Sequence, residues 1–132
     1  MSDDFIVAGV NLEFCYAAGE TASRFLTALR DEQKIYGTRC PQCQRVLVPA
    51  RSYCPRCCVE TAVWLQVGPT GILIACAPPF ALIRLDGADT NLVHRLEEKS
   101  SNSWQTGMRL KAVFTAERTG SINDIVHFRP VL

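Results

Sequence analysis

The chain has 132 residues, 48% of them apolar and 20% charged, and a formal net charge of +1. That length suits one ordinary domain, or a small module stapled to a second small unit. The apolar content is enough to bury a modest core and excludes a largely disordered chain.

The opening MSDDFIVAGVNLEFCYAAGE is apolar, but two aspartates stand where a secretory leader carries basic residues, and Asn11 and Glu13 interrupt the run. No leader is expected. No other stretch reaches the ~18 consecutive apolar residues of a membrane helix. A cytoplasmic, reducing location follows as the expectation, and there paired cysteines hold metal more readily than they form disulfides. Phe5, Ile6, Val7, Val10, Leu12 and Phe14, with the C-terminal IVHFRPVL, exceed what a small fold can bury and mark a surface for a partner. From Thr21 the spacing turns helical: Ala22, Phe25, Leu26 and Leu29 fall at i, i+3, i+4 and i+7. A helix over 22–34 is predicted, with Thr21 as its N-cap, Gly37 just beyond its end and its apolar stripe packed on the protein's own body.

Next comes RCPQCQRVLVPARSYCPRC, with four of the chain's seven cysteines. Cys40, Cys43, Cys54 and Cys57 form two CPxC pairs ten residues apart, and a two-residue gap lets both sulfurs of one tight turn reach the same ion. Pro41 and Pro55 fix φ inside each turn. A redox CxxC is single and opens a helix, whereas two pairs supply four thiolates and close a tetrahedral shell, so a structural zinc site is expected rather than a redox or catalytic one. Gln44 and Cys58 occupy the positions that favour positive φ, where glycine is common, and Cys58 competes with Cys57 as a ligand. Cys15 and Cys76 are expected as small core residues, and His94 and His127 as structural or surface residues, since no Ser/Cys–His–acid pattern ties them together.

From Lys34 to Cys58 the only charged residues are Lys34, Arg39, Arg45, Arg51 and Arg56. Zinc with four thiolates carries about −2, so roughly +3 is left over. Either the arginines neutralise the sulfurs, or they hold an anion, for which guanidinium forks suit phosphates. Nucleic acid is disfavoured, because sequence spacing shows no basic stripe beyond this segment and no aromatic platform. A compact polyphosphate such as coenzyme A needs only two or three placed cations.

Strand patterns follow at 62–67, 71–76, 80–85, 90–96 and 109–114, with a weaker one at 124–131. Gly68-Pro69, Pro78-Pro79, DGAD, KSSNS and TGSIND supply the turns between them. The expected fold is mainly β: an N-terminal tail and amphipathic helix over 1–36, a zinc ribbon over 37–61, and a small OB-type antiparallel barrel with a C-terminal tail over 62–132.

The order of parts sharpens this. An amphipathic helix, GTRCPQCQRVLVPARSYCPRC, an all-β segment with RLDGADTNLVHRL, then GMRLKAVF and FRPV resemble, over residues 21 to 131, the acyl-CoA-associated "domain of unknown function 35", a rubredoxin-like zinc ribbon fused to an OB-fold. The resemblance implies a small subunit without catalytic residues of its own. It would pair with a thiolase-superfamily enzyme, in a heterotetramer or larger assembly, that makes or breaks carbon–carbon bonds in acyl-CoA substrates, as thiolases, acyltransferases and the retro-aldolases of steroid side-chain degradation do. The family's zinc ligands map onto Cys40, Cys43, Cys54 and Cys57. Its ribbon arginine maps onto Arg51 in PAR, where Ala50 replaces the second proline of the family pattern. Arg39, Arg45 and Arg51 are then the expected contacts to a coenzyme A thioester. Relatives have a longer stretch where this chain has only ILIACAPPFALIRLDG, so either the barrel is trimmed on that side or the sequence lacks a mobile loop. The rival functions are a nucleic-acid-binding OB and zinc-ribbon module, and a free-standing acyl-CoA carrier.

Overall fold

The computed structural model describes residues 6–13, 15, 17–98 and 104–131. Phe5 and Phe14 of the expected partner surface lie outside the described residues. Helix α1 (Glu20–Glu32) leads into β1 (Ile35–Arg39), β2 (Val46–Leu47), β3 (Val63–Val67), β4 (Thr70–Ala77), β5 (Phe80–Leu85), β6 (Leu92–Arg95), β7 (Arg109–Phe114) and β8 (Ile125–Pro130). No helix among the described residues is long and apolar enough to cross a membrane.

α1 buries Phe25, Ala28 and Leu29, so its stripe does pack on the chain's own body. Its ends differ from expectation. Gly19 is the N-cap and offers no side chain, while Thr21 sits inside the first turn with its hydroxyl bonded to that of Ser52. The other end is closed by Gln33, in a left-handed conformation at φ 53°, whose N–H donates to the Ala28 carbonyl. Gly37 instead lies within β1, where a Cβ would meet the Leu47 carbonyl oxygen and Val46 Cγ1 at 2.8 Å. The neighbouring strand therefore demands that glycine, and the helix stop does not.

Two antiparallel sheets follow, β2-β1-β3 and β6-β5-β4-β7-β8. Thr38 of β1 faces Leu47 on one side and Trp64 on the other, so Val63–Val67 completes the sheet that starts in the ribbon. In the larger sheet β5 alternates cleanly, with Ala81, Ile83 and Leu85 inward and Phe80, Leu82 and Arg84 outward. The inward side chains, with Leu73, Leu92, Leu110, Ile125 and Phe128, join Phe25 and Leu29 of α1 and Ile35, Val46 and Val48 of the small sheet in one core.

The expected mainly β, antiparallel fold is present, and its OB-type barrel is an open sheet rather than a closed one. Among the described residues no ladder joins its edges β6 and β8: past the end of β6 there is one parallel bridge between Leu96 and Phe128, beside which the Glu97 N–H donates to the Phe128 carbonyl at 2.9 Å. β6 ends at Arg95, which leaves too short an edge for a ladder. β4 and β5 are joined directly through Pro78-Pro79 as a hairpin whose residues 75–80 are all exposed. The strand order also puts Arg84, Arg95, Lys111 and Arg129, all exposed, on the outer face of one sheet, which spacing along the sequence did not show.

Candidate metal centre

The metal site is built from two matching turns. In the first, the Cys40 N–H donates to the Arg45 carbonyl at 3.0 Å and the Gln44 N–H to the Cys40 carbonyl at 2.9 Å. In the second, the Cys54 N–H donates to the Val59 carbonyl at 2.9 Å and the Cys58 N–H to the Cys54 carbonyl at 2.8 Å. Each turn closes on a left-handed residue, Gln44 at φ 65° and Cys58 at φ 58°, at the two positions where the sequence called for positive φ. The Gln44 amide partly offsets that strain by donating to the Pro41 carbonyl at 2.8 Å.

These turns bring the sulfurs of Cys40, Cys43, Cys54 and Cys57 within 4.8 Å of one another. Cys43 Sγ and Cys54 Sγ are 3.8 Å apart. A tetrahedral ion with metal–sulfur bonds near 2.3 Å requires sulfur separations of roughly 3.8 Å, so the donor set fits one such ion. Cys40 and Cys54 are buried and Cys43 and Cys57 half-buried. Cys58 is exposed and stands outside the cluster. The four ligands expected from the sequence are thus the four brought together.

Electrostatics around the cluster are uneven. The Arg45 backbone N–H, then its guanidinium, holds the Cys43 thiol down at about 6. The Cys57 backbone N–H lowers Cys54, whereas burial, followed by the neighbouring sulfurs, pushes Cys57 up to about 12. Four thiolates this close repel one another, and a dication removes that repulsion.

The three arginines have separate surroundings. Arg45 lays its Nη2 3.9 Å from Cys54 Sγ, and its buried Nε has no partner among the described residues. The Nε of Arg39, on β1, is likewise buried and unpartnered. Arg51 is exposed; its backbone N–H and carbonyl both bond Thr38 Oγ1 at 2.9 Å, which frees the side chain to reach a cavity of about 380 Å³ lined also by Val48, Pro49, Pro55, Thr90 and Leu92.

Two residues that the sequence reading missed hold the ribbon against the larger sheet. Asp89 Oδ2 accepts the Val46 N–H and Thr90 Oγ1 accepts the Val48 N–H, each at 2.8 Å. Both lie in RLDGADT, which read only as turn chemistry. Cys15 and Cys76, expected in the core, are exposed instead. Cys76 stands on the part of β4 that no second strand covers among the described residues, and Cys15 precedes α1, following residues 6–13, which are all exposed. His94 does play the structural part expected: it is buried edge-on to Phe128 at 5.5 Å, with Nε2 3.2 Å from the Ile122 carbonyl oxygen.

With this geometry in place, the comparisons with known proteins are specific. Residues 27–60 match the family model described as the ChsH2 rubredoxin-like zinc ribbon domain. Over those residues the chain resembles a ChsH2-type zinc ribbon. Around that segment, most of the chain shares its fold with two solved structures. One is a protein of unknown function of the DUF35 family from Sulfolobus solfataricus, at TM-score 0.60 and 23% identity over 85% of this chain and 84% of that one. The other is a chain of the Ltp2-ChsH2(DUF35) aldolase, at TM-score 0.60 and 19% identity over 89% of this chain and 100% of that one. A comparison with curated proteins returned no match. The four-cysteine segment therefore sits on the fold of these two structures, with its cysteine cluster, its Asp89 and Thr90 ties and the Arg51 cavity in one continuous region.

Proposed function

We propose that this chain is the zinc-ribbon subunit of a thiolase-like, aldolase-type assembly, in which it helps the partner handle acyl-CoA substrates. One observation carries the reading: a ChsH2-type ribbon on a fold shared with a complete chain of the Ltp2-ChsH2(DUF35) aldolase. The ion in the four-cysteine site is zinc and its role structural, because four thiolates leave no position open for water or substrate. Carbon–carbon bond chemistry belongs to the partner. This chain supplies a rigid platform at the junction of ribbon and sheet, with Arg51 at the mouth of an otherwise largely apolar cavity. A guanidinium there suits a phosphate of coenzyme A, while Arg45 is engaged with the sulfurs. Steroid side chains and other lipid acyl groups are the substrate class this reading favours, and a heterotetramer or larger cytoplasmic complex is its expected setting.

Co-expression with a thiolase-superfamily subunit encoded beside this chain, followed by affinity purification, tests the partnership. Calorimetry of that complex with acyl-CoA tests the ligand. Arg51→Ala should weaken binding about ten- to a hundredfold, the loss of one charge-assisted phosphate contact. Recovery of each chain alone, or acyl-CoA binding indifferent to Arg51, refutes the corresponding half of the proposal.

A further inference from the structure

The outer face of the β4–β6 region is apolar at its centre, with Arg84 and Arg95 at its margins and Glu97 and Glu98 past Arg95. The strand register sets Ala75, Leu82 and Val93 in one row and Ala77, Phe80 and Arg95 in the next, with Ile72 beside Arg84 beyond them. Phe80 is 53% and Val93 64% exposed. The small alanines leave a groove of about 310 Å³ between these larger side chains. Arg95 stands beside Phe80 and Arg84 beside Ile72, while Lys111 and Arg129 lie farther along the face, in the row of Thr70; none of the four is in an ion pair among the described residues. Lys111 and Arg129 are even directly opposite across β7 and β8, an arrangement that costs stability unless an anion joins it.

The same face has an open backbone edge. β7 pairs with β4 only over Thr70–Ile72, and the last bonds on that side are from Leu73 N–H to the Met108 carbonyl and from Gly107 N–H to the Leu73 carbonyl. Past the bulge after Leu73, β4 continues to Ala77 with β5 on one side and no strand on the other among the described residues. An apolar groove beside a free strand edge fits an extended chain, which supplies backbone hydrogen bonds to the edge and side chains to the groove.

The chain itself contains such a segment. Residues 1–20 hold four acidic residues, Asp3, Asp4, Glu13 and Glu20, and no lysine or arginine. Within them Ile6 and Val7 are each 95% exposed, Val10 79% and Leu12 73%, so these side chains are not buried against the described residues of their own chain. An apolar, acidic strip without a partner and an apolar, basic face without a cover complement each other in both hydrophobicity and charge. We infer that the N-terminal segment around Ile6–Glu13 of one copy lies along the free β4 edge and groove of a second copy, and that the exchange is reciprocal. A two-fold pair makes the contact twice and closes on itself.

Two native thiols report on it. Cys15, at the end of the segment, and Cys76, on the uncovered stretch of β4, are both exposed. The experiment uses the metal-loaded full chain, whose ribbon sulfurs are occupied. Light scattering over a dilution series should show a dimer that weakens with salt. Arg84→Glu combined with Arg95→Glu, and separately Glu13→Lys, should each raise its dissociation constant about tenfold or more; these exposed sites leave the core intact. A bismaleimide should link Cys15 to Cys76 between copies, read by peptide mapping of the dimer band. A monomer at every concentration overturns the inference, whether the segment stays free or cross-links within its own chain. So does a dimer indifferent to all three charge changes, or a monomer that takes up a labelled single-stranded oligonucleotide through Arg84 and Arg95.

Discussion

Removing the metal should unfold the ribbon before the rest of the protein. The ribbon's own buried cluster comprises Cys40, Cys54 and Leu47, with Cys43, Cys57 and Val59 packed against it. Leu47 is thus its one fully buried side chain that is not a cysteine, worth roughly 1.5–3 kcal/mol. Ordering the dozen or so residues of the two turns costs about 1 kcal/mol each or slightly more. Structural zinc binding in zinc-finger peptides supplies ~10–16 kcal/mol at neutral pH, which is the size of the deficit. The larger sheet does not depend on it in the same way, because Leu73, Ile83, Leu85, Leu110 and Phe128 belong to a separate core. Hydrogen exchange on the purified chain, with and without a strong chelator, is the assay. In chelator the amides of Cys40, Gln44, Cys54 and Cys58, which close the turns, should lose protection, while those of β4 and β5 keep most of theirs. Cys40→Ser should reproduce the effect and leave the chain without one equivalent of zinc by elemental analysis. A metal-free chain whose turn amides remain as protected as before would refute the reasoning, since packing and hydrogen bonds would then suffice.

Three further predictions follow from the same geometry. Arg45→Ala should lower metal affinity about ten- to a hundredfold in competition with a chromophoric chelator, as loss of an outer partner of a metal ligand does, whereas Arg51→Ala should leave it unchanged. Asp124 is buried, yet its carboxyl is held below the usual range: burial pushes it up, but the N–H groups of Thr119, Gly120 and Ser121 at 2.9, 2.8 and 3.2 Å outweigh that. Asp124→Ala should therefore destabilise the fold by roughly 2–4 kcal/mol in denaturant titration, with Asp124→Asn intermediate. Burial, above all, lowers the pKa of His94 from 6.5, so the folded chain refuses a proton that the unfolded chain accepts. Its contribution is complete above about 6.5 and is lost as pH falls below that value, so the midpoint of thermal unfolding should fall on acidification, and fall less in His94→Gln.

Much of the metal centre was legible in the sequence because it is local. Two residues between cysteines and a proline inside each pair determine a turn whatever surrounds it, and the left-handed demand on Gln44 and Cys58 follows from the same few bonds. Strand positions were legible for a related reason, since alternation such as that of Phe80–Leu85 records which face is buried. What the sequence could not decide depends on residues far apart in it. Gly37 is needed because β2 lies against it, and Thr21 points at Ser52 rather than capping a helix. Asp89 and Thr90 read as turn residues until the fold brought the backbone of Val46 and Val48 to them. Arg84, Arg95, Lys111 and Arg129 share the outer face of one sheet only because its strand order puts β5 and β6 on one side of β4 and β7 and β8 on the other, and the sheet stays open because β6 stops at Arg95. Local spacing determines which bonds a turn can make, but long-range register determines which side chains share a surface, and only the tertiary structure sets that register.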